Sequence, residues 1–528
     1  MSDSTIETPT GGRGAPAAKP VTHWLAPVMV ALIGAFMSIL DSSIVNVAIP
    51  TIMNVFNAAT SDVQWVSTIY MLAMGVVVPL SGWLGDKIGY KRLYMATLAI
   101  FVMGSLLCGI SWDLNSLIFF RVLQAIGGGM IMPTMMAMIY SIVPRDKIGS
   151  GMAIFGISLM VGPALGPTIG GYLVEYVNWR WIFTINLPIG IVGILLAWIV
   201  LPDFPSKKAG KLDVGGALSS AVMLFSLLLA LSKGSDWGWT DERIIILFAI
   251  SFFTLLLFVY LELTSDNPLL ELRVFKYRSF TTANLLVVIT TIGMYAAIFY
   301  LPLFLQRIRG LGAMETGLLL MPGALASGLM MPITGKLYDK IGPRPLAIFG
   351  VIGLGLVMFQ FHKLDVMTAN ITIVWWATLR GMVMAFANMP AQTAALSDVP
   401  NNLIGRASAI SNIIRSVSGS FGLAVLTAIL TARQAFHGAR LTWTLVPSNP
   451  VVAGAVARIS GVLGGGSRGQ IGALAYLNGI VARNSFINGI DDVFVVAAMI
   501  SFVALIPAIF LVHRKFTPSG APRAPLAE

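Results

Sequence analysis

PLSGWLGDKIGYKR, residues 79–92, returns 253 residues later as PITGKLYDKIGPRP, residues 332–345. At that shift a proline, a glycine and the four residues DKIG coincide. Each copy closes one apolar run and opens the next. The same doubling continues downstream: the run 115–141 carries Arg121 and Pro133, and the run 371–394 carries Arg380 and Pro390. A chain that repeats itself at this scale, in apolar text, predicts two parallel helical bundles packed around a shared interior, an arrangement suited to exposing a midplane site to each side in turn.

The apolar text sets the solvent. Charged residues make up 11% of the 528, against about 25% in soluble domains. Fourteen runs of ~20 residues are long enough to span a bilayer as helices: 25–47, 65–84, 93–111, 115–141, 150–174, 181–201, 213–232, 244–262, 280–303, 315–335, 345–362, 371–394, 407–430 and 492–512. The expected fold is all-α and membrane-integral. A polar tail, 1–23, precedes a six-helix bundle, 24–201, and the first run serves as its own insertion signal. An inserted helix pair with flanking loops, 202–279, follows. A second six-helix bundle, 280–513, includes a long outer loop, 431–491, and a short tail, 514–528, ends the chain.

The net charge of +11 is topological. With the N-terminus inside, twenty of the 34 Lys and Arg fall in cytoplasmic segments, and six in the outer connections apart from the long loop. That is the positive-inside bias, so no nucleic acid is implied, and both termini are expected in the cytoplasm. Cys108 is the only cysteine, which excludes an internal disulfide and a thiolate cluster. No G-x-x-x-x-G-K-[ST] occurs, so an ATP-driven pump is not expected. GGGSRG, 464–469, matches a dinucleotide fingerprint by accident, with no strand before it. The four histidines show no ligand spacing, and no metal site or cofactor is expected.

Asp41 lies in the first apolar run, in LDSSIVNVAIPTI, 40–52. A carboxylate at membrane depth costs a few kcal/mol and usually marks a path for an ion, proton or substrate. The alternative is a structural Asp bonded to Ser42, Ser43 or Asn46 on its own helix. Arg121 opens RVLQAIGGGMIMP, 121–133; it cannot readily deprotonate and would act as a fixed charge beside a titrating carboxyl, with Gln124 and Asn46 extending a polar path. Snorkelling outward is its bland reading. Arg415 in SNIIRSVSGSFG, 411–422, and Arg380 are further intramembrane cations that need polar partners. Where the first half has Asp41, the second offers Met294 and Tyr295.

Two further sets complete the expectations. Tyr70, Tyr295, Phe299, Phe386 and Arg415, with Asn46, would line a central cavity softened by methionine; each aromatic could equally be interfacial or core. The helix GPALGPTIGG, 162–171, offers Gly162, Pro163, Gly166, Pro167, Gly170 and Gly171 for close packing or bending. The loops carrying Gly82, Asp86, Arg92, Asp339 and Arg344 would latch one conformation, their acids facing helix N-termini or the basic residues Lys91, Arg92 and Arg344. A plain tight turn with solvated charges would read alike.

Together these motifs resemble the fourteen-helix drug:proton antiporter branch of the major facilitator superfamily, the EmrB/QacA type, over about residues 22–515. LDSSIVNVAIP resembles that branch's first-helix signature, GWLGDKIGYKR the superfamily loop motif, RVLQAIGGGMIMP the proton-coupling motif and GPALGPTIGG the antiporter motif. WRWIFTINLPIG, 179–190, and NIIRSVSGSFG, 412–422, are similar to segments of the same branch. The resemblance implies proton-coupled efflux of amphipathic, cationic or lipophilic compounds across a bacterial inner membrane, powered by the proton gradient, with the lipid bilayer and small molecules as partners. A dedicated exporter of one metabolite, lipid or siderophore is an alternative. A membrane component working through an outer, periplasmic adaptor protein and the loop 431–491 is another.

Overall fold

The computed structural model describes residues 24–58, 60–144, 147–204, 206, 212–265, 268–400, 403–444 and 450–511. Every regular element among them is helical. Twelve helices are each long and apolar enough to cross a bilayer. Trp65–Val77 and Leu80–Ile88, bent by 55°, make a thirteenth. Ile148–Tyr172, 25 residues long, packs among them as a fourteenth long helix. The spans are α1 (Leu25–Phe56), α2 (Trp65–Val77 with Leu80–Ile88), α3 (Tyr90–Gly109), α4 (Leu114–Ile142), α5 (Ile148–Tyr172), α6 (Trp181–Val200) and α7 (Val214–Trp237). They continue as α8 (Glu242–Thr264), α9 (Arg278–Arg307), α10 (Ala313–Ile341), α11 (Pro343–Phe361), α12 (Asn370–Ser397), α13 (Ile404–Thr444) and α14 (Gly466–Ile509).

Proline explains the breaks. Pro79 has no N–H for the Gly75 carbonyl, and α2 bends there. Pro302 leaves the Ile298 carbonyl without its partner, and α9 relaxes into a π-turn over Ala296–Tyr300. Pro188 deprives Thr184 in the same way, and α6 is interrupted at Ile185, just before Asn186.

The repeated DKIG turns are built alike. Gly89 and Gly342 take φ of +86° and +82°, a region that suits glycine. Each amide closes the preceding helix, Gly89 on Gly85 and Gly342 on Tyr338. These turns define one face of the molecule, the DKIG face.

The largest apolar core joins both bundles on that face, from Val28, Met37 and Ile139 to Leu346, Met389 and Ile404. Towards the opposite face the core divides. Leu40, Ile44, Trp179 and Phe183 belong to the first bundle alone; Leu301, Phe361, Phe486 and Phe494 belong to the second. The bundles are therefore sealed together on the DKIG side. Of the inserted pair, α7 packs on both α2 and α13 through Leu228 and Leu229. α8 lies outside it, only 17% of its most apolar stretch buried, so its surface is left for lipid.

The segment 431–491 differs from the expected loop. α13 runs for 41 residues, about 60 Å at 1.5 Å per residue, twice the hydrocarbon thickness. α14 starts at Gly466, and a short helix, Pro450–Val462, lies between them. Polar residues end the apolar run near 430 without ending α13, which continues to Thr444; the break before α14 falls at Gly464, Gly465 and Gly466, all at positive φ.

Candidate functional site

Asp113 caps α4, accepting from the Ser116 amide at 2.7 Å while Ser116 Oγ accepts from the Asp113 amide. The Ser116 amide, and after it the Ser116 hydroxyl, hold the Asp113 carboxyl below the usual range. About four turns on, glycines let α4 sink between its neighbours. A Cβ at Gly127 would meet the Thr97 carbonyl and Phe101 amide of α3; one at Gly129 would meet Met74 of α2. From the other side, a Cβ at Gly104 would lie 2.5 Å from Gln124 Cα. This close approach carries Arg121 and Gln124 inward to Asp41.

Asp41 is fully buried and accepts three hydrogen bonds. Arg121 Nη1 donates to its Oδ2 at 2.7 Å. Gln124 Nε2 and Asn186 Nδ2 donate to its Oδ1, each at 2.9 Å. A second layer fixes the first. Ser105 Oγ accepts from both amides and donates to the Phe183 carbonyl at 2.8 Å. Arg121 donates to Gln124 Oε1 at 2.7 Å and, through Nε, to the Val66 carbonyl at 3.2 Å. Its guanidinium rests 3.8 Å from the Tyr70 ring centroid, a contact worth up to about 2 kcal/mol when desolvated. Removing one partner of such a buried pair costs about 3–5 kcal/mol.

Every group touching the Asp41 oxygens is a donor. As placed, none of the three offers an acceptor to a proton on Asp41. Asn186 Oδ1, meanwhile, is buried with no partner. Asp41, Arg121 and Gln124 stand out in the sequence; Asn186 and Ser105 do not. Their signal is nonetheless present: Asn186 is the one polar side chain of INLPIG, and Ser105 interrupts an apolar run.

Several expected residues stand elsewhere. Asn46 is exposed and accepts from Ser67 Oγ; one and a half turns beyond Asp41, it faces away from the cluster. Ser42 Oγ donates to the Ser38 carbonyl, not to Asp41. Tyr70 belongs to the Arg121 site rather than to a cavity wall. Phe299 is 47% exposed, turned outward within the π-turn, and Phe386 stacks edge-on against exposed Phe349. Tyr295 packs beside Gly419 of α13.

A cavity of about 290 Å³ lies between the bundles. α1 and α5 contribute Ile39, Met152 and Gly156; α9, α10, α12 and α13 supply the rest, including Arg380, Arg415, Asn388 and Gln392. Of the expected cavity residues only Arg415 lines it.

The glycines of α5 face two ways. A Cβ at Gly162 would strike Ile39, one at Gly166 would strike Ser43, and Gly170 abuts Ile44, all on α1 beside Asp41. Gly149 and Gly156 abut Asp339 and Met331 of α10. Gly171 meets nothing within 4 Å. The side chains of Pro163 and Pro167 lie outside the described residues. α5 is thus a wedge between the two bundles.

At the DKIG face the halves clasp reciprocally. Gly82 of α2 packs on Arg406, two residues into α13, and Arg406 Nε approaches Asp86 Oδ2 at 3.9 Å. Asp339 of α10 accepts from the Gly149 amide at 3.2 Å and Ser150 Oγ at 3.3 Å, at the start of α5. The second acid does face a helix N-terminus, that of the other half. Arg92 and Arg344, expected as partners, are exposed; each follows its turn and points into solvent, while Lys91 pairs with Asp203. Between the clasps Tyr140 donates to the Thr393 carbonyl at 2.9 Å.

Two related bundles, sealed at one face around a cavity, with a buried ion pair inside the first bundle, define a multi-pass membrane transporter. The sequence model of the Major Facilitator Superfamily matches residues 31–423, and the chain belongs to that superfamily. It is 34% identical over 489 residues to an uncharacterised transporter of this type, YhcA of Bacillus subtilis, covering 92% of each chain. It is 30% identical to the multidrug export protein EmrB of Escherichia coli, over 92% of this chain and 95% of that one. To the lincomycin resistance protein LmrB of Listeria monocytogenes it is 33% identical, over 76% and 86%. The structure of the proton:xylose symporter XylE aligns over 92% of this chain and 96% of that one, with a TM-score of 0.58 at 14% identity, which shows a shared fold.

Proposed function

We propose that the protein exports amphipathic small molecules, drugs among them, across the bacterial inner membrane in exchange for protons, with both termini cytoplasmic and the DKIG face inward. Asp41 carries the proton, Arg121 holds the opposite charge, and Gln124 and Asn186 orient the carboxylate. The observation that carries this reading is the donor-only shell around a fully buried Asp41. Protonation must break that shell, so proton binding distinguishes one conformation from another, as coupling requires. No cofactor enters the scheme beyond the proton gradient. The names of the relatives that export or resist drugs support efflux as its direction.

In this conformation the DKIG face is closed. Opening it would part Asp339 from the start of α5 and slide the α5 wedge along α1 beside Asp41, so that the proton site and the gate share one helix. The long α13–α14 extension gives an outer adaptor a surface to meet. Removing residues 431–491 abolishes export if an adaptor is obligatory and only alters it if the transporter acts alone.

The test is reconstitution in liposomes with an imposed pH gradient and a fluorescent cargo. Each pH unit supports about tenfold accumulation per proton. Native protein is expected to pump uphill. Asp41→Asn should lose uphill transport at least 100-fold while retaining downhill exchange, and Arg121→Ala should lose both. Full-rate uphill transport by Asp41→Asn would overturn the assignment, as would native transport that requires sodium or ATP.

A further inference from the structure

Three arginines lie at membrane depth, and the structure treats them differently. Arg121 is satisfied by Asp41, Gln124 and the Val66 carbonyl. Arg380 of α12 and Arg415 of α13 line the central cavity. Arg380 Nε and Nη1 and Arg415 Nε are buried with no hydrogen-bond partner. Among the described residues, no Asp or Glu lines that cavity. The polar groups that do include Asn388 and Gln392, whose amides can donate, and the apolar wall is rich in methionine.

Leaving a guanidinium unpaired in such a place is costly, and a cation entering beside two of them adds repulsion. An anion does the reverse: it supplies the missing acceptors and offsets part of the charge. The planar donor fork of arginine matches carboxylate, sulfonate and phosphate oxygens in pairs. Methionine walls adapt to varied apolar bodies, and about 290 Å³ holds a small one, at the low end of ligand pockets. We propose that the cargo is a free amphipathic organic anion, its acidic head held between Arg380 and Arg415 and its apolar body against the methionines. This deepens the export reading and rests on it; of the cationic or lipophilic cargo that the family resemblance implies, it sets the cationic part aside.

The experiment reads binding without any gradient, so it is separate from the coupling test above. Full-length protein in phosphatidylcholine nanodiscs is titrated calorimetrically with three compounds on one two-ring scaffold: naphthalene-2-sulfonate, naphthalene-2-carboxamide and 2-naphthyltrimethylammonium. The sulfonate should bind at least tenfold tighter than the ammonium. Arg380→Gln and Arg415→Gln should each weaken the sulfonate at least tenfold and leave the carboxamide within twofold, which also reports that the variant is folded. Arg380→Lys should recover part of the loss. Equal or tighter binding of the ammonium overturns the proposal even if no variant folds, and so does native sulfonate affinity in both Gln variants. Repeating the native titration with phosphatidylglycerol in the disc separates a free acid from a lipid headgroup. Unchanged affinity supports the free acid; a tenfold loss assigns the arginines to anionic lipid and overturns it.

Discussion

Asp41 shows how much one residue says through its place in the chain. Its charge in an apolar run is expensive, so its presence demands a partner, and Arg121 with Gln124 is the partner the sequence offers. Asn186 escapes notice because a neutral amide in an apolar helix costs little and resembles many structural asparagines. What singles it out is geometric: one amide nitrogen reaches both Asp41 and Ser105, while the amide oxygen has no partner. Asn186→Leu removes one charged hydrogen bond, worth about 1.5–3 kcal/mol. We expect roughly a tenfold or greater fall in pH-driven accumulation with cargo affinity unchanged. Equal losses in accumulation and in affinity would mean that Asn186 supports the fold rather than the coupling. The arginines of the cavity are equally visible as charges, yet nothing in the sequence shows that Arg415 and Arg380 point into one space while Arg121 points into another. Pairing is a property of three dimensions.

At the level of helices, the repeat and the apolar runs are enough to fix the number and order of spans. Helix ends are less legible, because a helix leaving the bilayer changes its solvent without changing its hydrogen bonds. α13 and α14 therefore continue through the polar text of 431–491. The glycine pattern of α5 is legible as small-residue packing, but its partner is not. Gly162, Gly166 and Gly170 repeat every four residues and fall on the stripe that touches α1. Gly171, one position further, falls outside it. The two positions predict opposite responses to a methyl group. Gly171→Ala gains helix propensity, up to about 1 kcal/mol. Gly166→Ala gains the same propensity but forces Ser43, and with it the Asp41 segment, to move; overpacking of this kind costs about 1–3 kcal/mol. Thermal unfolding in detergent should rank Gly171→Ala at or above native and Gly166→Ala below it, with transport lowered only in the latter. Identical melting of the two variants would remove α5 as the wedge against α1.

For the whole molecule, the sign of the cargo decides how much charge each cycle moves. Under the proposed coupling the Asp41–Arg121 pair takes up one positive charge with each proton, while Arg380 and Arg415 leave the cavity doubly positive until cargo enters. One proton moving inward as one monovalent cation leaves transfers no net charge. One proton moving inward as one monovalent anion leaves transfers two positive charges inward, the direction favoured by an interior-negative potential. Each charge is worth about 2.3 kcal/mol per 100 mV. An anion exporter of this stoichiometry therefore draws about 4.6 kcal/mol from 100 mV with no pH difference at all, more than a thousandfold in accumulation. The measurement uses proteoliposomes at equal pH on both sides, with a potassium diffusion potential negative on the side facing the DKIG turns and the naphthalene sulfonate as cargo. We expect the potential alone to drive the sulfonate uphill away from that side, and Asp41→Asn to abolish the effect. Indifference of sulfonate export to the potential would rule out this charge balance, and with it the union of a proton carried on Asp41 and an anion carried between the two arginines.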